Sequence, residues 1–517
     1  MLETSNALGF PILSVTLFVP LVAAIVIGLL PKAHDQLCLA TGAFASGLAL
    51  ALAVVMLANY DASWAGLSTE AAFQFADPAT TPAPWLPGGI AYHVGVDGMA
   101  VVLVFLTALL TFLALLYSFG SVRHRLREYT MALLVLETGV MGVFAALDLF
   151  LFYVFWEAAL IPMMLLIGIW GGKGRIYATF KFVLYTMAGS ALMLVAIVVL
   201  AQTAGDGSFH FFDIARGLAG PGLSSGWRLA LFAAFAIAFA VKVPMFPLHT
   251  WLPDAHVEAP TAGSVVLAGV LLKMGTFGFV RYGLPLFPDA VRTAAPLLIG
   301  LALVGVWYGA WVAFAQPDIK SLVAYSSVSH MGLVMVGILA LNGIGLAGGT
   351  LQMVNHGLTT GALFLLVGML YDRAHTREIA AFGGLWRAMP RFSVLFLVVT
   401  LASIGLPGTN GFVGEWLALL GAFQARPLWG VLGVFGVLLG AIYMLTAVQR
   451  VFFGTQSALS AALPDLTPRE VVVLLPLIVL ILWIGVFPEP FLAPIESTSA
   501  AWIDYVNAAA DGLAAAR

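Results

Sequence analysis

Apolar runs of about twenty residues recur along nearly the whole sequence, roughly fourteen of them. They fall near 10–30, 37–58, 98–119, 130–147, 149–170, 177–201, 229–251, 259–281, 295–315, 319–341, 346–370, 393–423, 428–453 and 470–488. A run of that length spans the hydrocarbon of a bilayer as a helix, and lipid offers backbone amides no partner, so each crossing must satisfy its own hydrogen bonds. The expected fold is an all-α polytopic membrane protein. Composition agrees: of 517 residues 62% are hydrophobic and 9% charged, where a soluble protein carries about 25% charged residues.

Against this background the charges inside the runs stand out. The stretch LALFAAFAIAFAVKVPMFPLHTWLPDAHVEAPTAGSVV, residues 229–266, places Lys242 within an apolar run, then breaks it with Pro244 and Pro247. His249, Asp254, His256 and Glu258 follow. A lysine at bilayer depth costs about 2.5–3.5 kcal/mol on insertion scales, so it is paired, wetted or functional. The prolines free carbonyls that lipid cannot satisfy, so the broken helix must face protein or a water-filled cavity. A second break lies in LASIGLPGTNGFVGEWLALL, where Pro407 sits among Gly405, Gly408, Gly411 and Gly414 and is followed by Glu415. Paired interruptions with buried charge point to an ion pathway in a protein built from internal repeats.

Other runs carry their own polar residues. Glu137 lies in LLVLETGVMG and Glu157 in FLFYVFWEAALIPMM, with Asp148 at the turn between the two runs. A carboxylate there needs a cationic partner or a proton, and a structural ion pair is the plain alternative to a functional one. Lys273 is mid-span in AGVLLKMGTFGF, after small residues that allow close helix approach. Lys181 and Lys320 lie near span ends, where snorkelling to the interface explains Lys181 as well as function does. His330 follows Ser326, Ser327 and Ser329, and His356 is flanked by Asn355 and two threonines. Imidazole titrates near neutrality and passes protons between its two nitrogens. A proton arriving at one member of such a set changes the affinity of the next, which is the basis of a relay.

Several functions are disfavoured. A net charge of −3 without a basic patch gives no sign of nucleic acid binding. Cys38 is the one cysteine, so no cysteine cluster holds a metal or an iron–sulfur centre. Neither a dinucleotide-binding glycine fingerprint nor a phosphate-binding loop occurs; redox chemistry belongs to partners. The first run lacks a basic leader and a small-residue cleavage site and reads as a retained span. With the N-terminus outside, Lys32, Arg123, Arg125, Arg127, Lys173, Arg175, Lys320, Arg373, Arg377, Arg387, Arg391, Arg450 and Arg469 are inside. Arg216, Arg228, Arg281, Arg292, Arg426 and Arg517 are then outside. That bias of about two to one favours both termini on the outer face. The loop 59–97, rich in Pro and Gly, is also expected outside, and the tail after Pro490 reads as short.

The runs AVKVPMFPLHTWLPDAHVEAPTAGSVVLAGVLLKMGTFG, VFWEAALIPMMLLIGIWG, IKSLVAYSSVSHMG, HGLTTGALF and LPGTNGFVGEW closely resemble the antiporter-like M-type subunits of bacterial respiratory complex I, counterparts of mitochondrial NADH dehydrogenase subunit 4. Related chains occur in multisubunit sodium/proton antiporters and membrane-bound hydrogenases, which remain the alternative. The resemblance implies fourteen transmembrane helices: 1–129 as helices 1–3 and an outer loop, inverted five-helix repeats at 130–281 and 295–453, and 454–517 as the last helix and tail. It implies one proton moved through the subunit per cycle of quinone reduction elsewhere. By motif, Glu157 partners Lys242, Lys273 is the central connecting residue, His330 and His356 continue the axis, and Glu415 stands near the exit. The expected order is Lys273, His330, His356, Glu415. Sister L- and N-type subunits usually carry lysine at the last site, so Glu415 and the short tail favour the M type. Glu137 lies outside the motif. Partners would be the L- and N-type subunits and lipids in the bacterial inner membrane, both termini periplasmic. FMN, iron–sulfur clusters and quinone would reside in other subunits.

Overall fold

In the computed structural model residues 9–31, 35–63, 73–78, 82–219 and 223–515 are described; Lys32 and Arg517, used above for orientation, lie outside them. The chain opens with α1 (Ile12–Leu29), α2 (Asp35–Ala58), α3 (Gly98–Ser121) and α4 (Leu126–Ala145). Then come α5 (Leu149–Ala158), α6 (Leu160–Trp170), α7 (Arg175–Thr203), a short α8 (Phe211–Leu218), α9 (Ser225–Lys242) and α10 (Trp251–Glu258). One continuous span follows as α11 (Thr261–Val266), a π turn at Leu267–Leu271, α12 (Leu272–Gly278), a second π turn at Phe279–Gly283 and α13 (Leu284–Leu286). The rest is α14 (Pro288–Phe314), α15 (Ile319–Ile338), α16 (Gly343–Ala374), α17 (Pro390–Ser403), α18 (Asn410–Ala425), α19 (Pro427–Phe452), α20 (Ala458–Ala461), α21 (Pro468–Val486) and α22 (Glu489–Ala515).

Among the described residues, thirteen helical segments are long and apolar enough to cross a membrane. The fourteenth expected crossing is divided: α17 has 14 residues and α18 has 16. At about 1.5 Å per residue neither alone spans roughly 30 Å of hydrocarbon. Local chemistry sets the boundaries. Asp97, Asp148 and Asp318 cap α3, α5 and α15 by accepting from first-turn amides, and Thr467 with Glu470 forms a reciprocal cap on α21. Proline, whose missing N–H is harmless in a first turn, opens α14, α17, α19 and α21.

Two spans have their apolar cores enclosed by protein, Thr261–Leu286 and Gly343–Ala374. They approach closely: a Cβ on Gly357 would stand 2.8 Å from the Gly269 carbonyl oxygen. Small residues permit that contact, and it brings the polar residues of both spans to the middle of the bundle.

Two regions differ from expectation. The loop 59–97 contains four short strands: β1 (Gln74–Asp77) pairs antiparallel with β4 (Val94–Val96), and β2 (Ala83–Leu86) with β3 (Ile90–Tyr92). The tail, read as short, forms the 27-residue α22. Its buried residues Phe491, Ile495, Thr498, Trp502 and Val506 recur at helical spacing, an amphipathic stripe among small residues. Trp502 donates its indole N–H to Asp97 (3.2 Å) and Thr498 accepts from the Gly98 amide (3.1 Å). Asp97 in turn pairs with buried Arg281 at 2.8 Å, so α22 clamps the start of α3 to the second π turn.

Candidate functional site

The first break begins where α9 ends, at Lys242. Pro244 and Pro247 contribute no amide, and the carbonyls they free find other donors. The Met245 amide donates to Ala240 O (2.9 Å), and the Trp251 indole N–H donates to Val241 O (2.9 Å). The break is thereby satisfied within the protein, as its depth requires.

Lys242 is 1% exposed, and its ammonium has no hydrogen-bond partner. It lies over the Trp156 ring at 5.3 Å and the Phe182 ring at 5.8 Å, faces whose negative charge density attracts a cation. Glu157, at the end of α5, acts on Lys242 electrostatically, yet its Oε1 is buried without a partner. The expected Lys242–Glu157 contact is open: no ion pair inside 4.0 Å joins the two groups, and the ammonium lies against the aromatic faces. Tyr153, one turn before Glu157, lies beside both Glu157 and Ser190.

Lys273 is fully buried on α12. Residues five apart align on a π turn, and Lys273 accordingly donates to the carbonyl of Ala268 within the π turn that precedes α12. Its Nζ also lies 2.7 Å from His356 Nδ1 on α16. The His356 and His330 rings follow at 5.7 Å between centroids, and His330 Nδ1 stands 3.3 Å from Glu415 Oε1. The observed sequence of contacts is Lys273, His356, His330, Glu415. This corrects the expected order of the two histidines: α16 is the helix packed on the span that holds Lys273, while α15 presents His330 toward α18.

Glu415 sits just beyond the second break. Gly405 has φ +72° and Gly408 φ +90°, a region that favours glycine. A Cβ on Gly405 would lie 2.6 Å from Glu415 Oε2. Gln352 donates to Glu415 Oε1 at 3.1 Å. Asn355 donates to Asn410 O (2.7 Å) and Asn410 donates back to Asn355 O (3.3 Å), tying α16 to the start of α18. Pro407 lies in the turn between α17 and α18.

The remaining sequence candidates lie around this line. Lys320 donates to Ala259 O (2.6 Å) and Val257 O (3.4 Å) beside a cavity of about 830 Å³ lined also by Glu258, Asp318 and Arg377. Lys181 does not snorkel free but pairs with Asp254 at 2.7 Å. His249 stacks on Phe246 and meets Tyr308 edge-on at 5.1 Å. Glu137 is apart, in the α2–α4 interface, accepting from Ser46 (2.9 Å).

Three residues had no role in the sequence reading. His256 is fully buried with neither ring nitrogen partnered, stacked on Phe364 at 4.7 Å and within electrostatic reach of both Lys320 and Lys273. Gln352 was findable, being one helical turn before His356. Trp156 precedes Glu157 in the quoted motif, but nothing in the sequence aims its ring at Lys242. Lys273, His356, His330 and Glu415 stand in succession through the interior, and Lys320 lines a separate polar cavity.

The family described as NADH:quinone oxidoreductase/Mrp antiporter, transmembrane, matches residues 146–440. The chain is 46% identical over 490 residues to NADH-quinone oxidoreductase subunit M of Rhodobacter capsulatus, covering 92% of this chain and 93% of that one. It is 40% identical over 497 residues to the subunit of the same name from Rickettsia prowazekii, covering 94% and 97%. Among solved structures, a chain of respiratory complex I from Thermus thermophilus with bound NADH superposes with a TM-score of 0.85 at 35% identity, covering 96% of this chain and 99% of that one.

Proposed function

The chain belongs to the NADH:quinone oxidoreductase/Mrp antiporter transmembrane family, and from that premise we propose that it is the M-type membrane-arm subunit of a proton-translocating NADH:quinone oxidoreductase. It contributes proton conduction to that enzyme, while FMN, iron–sulfur clusters and quinone belong to other subunits. Its neighbours are the L- and N-type subunits, its location the bacterial inner membrane, and both termini face the periplasm. The inverted repeats run over 130–281 and 295–453, so that Lys273 belongs to the first and His330, His356 and Glu415 to the second.

The observation that carries this reading is the succession Lys273–His356–His330–Glu415, in which Lys273 meets His356 at 2.7 Å, the two imidazole rings lie 5.7 Å apart and His330 meets Glu415 at 3.3 Å. The Lys242–Glu157 pair is the gate. With Glu157 close, the Lys242 ammonium is stabilised and keeps its proton. When the pair opens, only the faces of Trp156 and Phe182 remain against the charge, and the proton is driven toward Lys273. Moving one charge against 100 mV costs about 2.3 kcal/mol, less than the roughly 3–5 kcal/mol by which losing its partner destabilises a buried ion.

The test is Lys242→Ala beside Lys242→Arg in the reconstituted complex. Arginine keeps the charge but does not release its proton. Both variants are expected to lose pumping and NADH:quinone turnover by about tenfold or more, with Lys242→Arg assembled at normal levels. Normal pumping by Lys242→Arg would overturn the gate. Normal pumping by an assembled Lys242→Ala would overturn the relay as a whole.

A further inference from the structure

Beside Glu415, α19 presents Tyr443. Its side chain is 1% exposed, and its hydroxyl has no hydrogen-bond partner among the described residues. Glu415 and Ser326 face it; Ser326 spends its own proton on Val323 O (2.7 Å) and so offers the phenol an acceptor but no donor. A phenol hydroxyl enclosed without a partner loses about 1–3 kcal/mol, so a tyrosine is an expensive residue at this point unless the hydroxyl is used. A second buried atom nearby shares the condition: Nε2 of His330 is also unpartnered.

Both side chains line one small, partly open space, together with Glu415, Ser329 and Ser403. It leaves about 10 Å³ to the centre of a water-sized sphere. That is room for roughly one water molecule, which needs two to four polar partners to remain in a protein interior. The wall supplies the hydroxyls of Tyr443, Ser329 and Ser403, a ring nitrogen and a carboxylate, and the rest is apolar, including Val306 and Leu333.

We propose that this cavity is a binding site for a single water, and that Tyr443 is the positioning residue that holds it against Glu415. The Tyr443 hydroxyl donates to the water oxygen, and the water donates to the Glu415 carboxylate. Glu415 is thereby fixed from two sides, by Gln352 at 3.1 Å and by the water. Its Oε1 stays turned toward His330 Nδ1 at 3.3 Å, the distance over which the last internal proton passes. Tyr443 exchanges no proton with the relay; it sets the geometry of the acceptor. The inference rests on the proposed proton path, with Glu415 as its last member.

The test compares Tyr443→Phe, Tyr443→Gln and Glu415→Gln in the assembled oxidoreductase. Tyr443→Phe is expected to slow turnover about tenfold, the effect of losing one hydrogen bond to a charged group. Its solvent deuterium isotope effect is expected to rise, because transfer from His330 to a loosened Glu415 becomes limiting. Tyr443→Gln, which keeps a donor, should restore much of the rate. A map of the wild-type complex fine enough to show waters should contain one density bounded by Tyr443, His330 and Glu415. An empty cavity in that map overturns the proposal even where Tyr443→Phe fails to assemble. So do a wild-type rate and isotope effect in Tyr443→Phe while Glu415→Gln is inactive. Unimpaired pumping by Glu415→Gln would refute the path instead.

Discussion

Lys273 Nζ and His356 Nδ1 meet at 2.7 Å, each within the buried core of its span. The lysine's other described contact is the Ala268 carbonyl, which cannot take up a proton. Of these two contacts only the imidazole can accept a proton, and the His330 ring stands 5.7 Å from it between centroids. The π turn that brings Ala268 into line and the close approach of Gly269 and Gly357 both serve this contact.

His356→Gln separates the structural part of that contact from the protonic part. The glutamine oxygen still accepts from Lys273, so assembly should be retained, but an amide does not titrate. Proton pumping driven by NADH oxidation is expected to fall at least about tenfold, within the range of a lost proton-transfer group. A dye measurement of proton uptake by proteoliposomes, run beside turnover, reads it directly. Unchanged pumping at normal subunit content would remove His356 from the path.

Most of the crossings were legible because hydropathy over about twenty residues is a local property. So were Lys242, Lys273 and Glu415 as charges at depth, and the proline–glycine breaks beside the first and last. What could not be read depends on rotation and packing between helices. The order of His330 and His356 follows from which helix packs on the span of Lys273, and no spacing within α15 or α16 encodes that. The open Lys242–Glu157 pair depends on where the Trp156 and Phe182 rings point. The α22 helix was missed for a different reason: its buried face is carried by residues such as Phe491, Ile495, Trp502 and Val506 scattered through a small-residue tail, visible only when read at helical period.

The second break makes its own demand on sequence. At Gly405 the backbone has φ +72°, and an added methyl would stand 2.6 Å from Glu415 Oε2, too close for any contact between carbon and oxygen to survive unshifted. Gly405→Ala is therefore strained twice: by the left-handed backbone, which costs about 1–2 kcal/mol for a residue with a Cβ, and by displacement of the carboxylate. Turnover and pumping should drop together, while Gly408→Ala is expected to do less. Gly408 also has positive φ but has open space where the Cβ would go. Equal losses in the two variants would show that backbone strain alone matters.

A pH dependence follows from the end of the bundle that carries the strands. His93 Nδ1 and His210 Nε2 share a hydrogen bond of 2.8 Å. Burial, then the neighbouring His210, lowers His93 from 6.5 to about 4. Asp148 accepts from the amides of Phe150, Leu151 and Ala91, yet burial outweighs them and raises it from 3.8 to about 6. Between pH 6.5 and about 4 the unfolded chain holds more protons at His93, so this residue lowers stability as pH falls through that window. Between about 6 and 3.8 the folded chain holds more protons at Asp148, so this one raises stability on acidification, and that contribution is lost as pH rises through about 6. In the wild type the two oppose each other. His93→Gln removes the first and leaves the second, so the heat-inactivation midpoint of its complex should rise relative to wild type as pH falls from about 6.5 toward 4. Asp148→Asn keeps a capping oxygen for α5 and should show the reverse slope. Parallel curves for His93→Gln and wild type would mean that the imidazole is not held neutral by the fold.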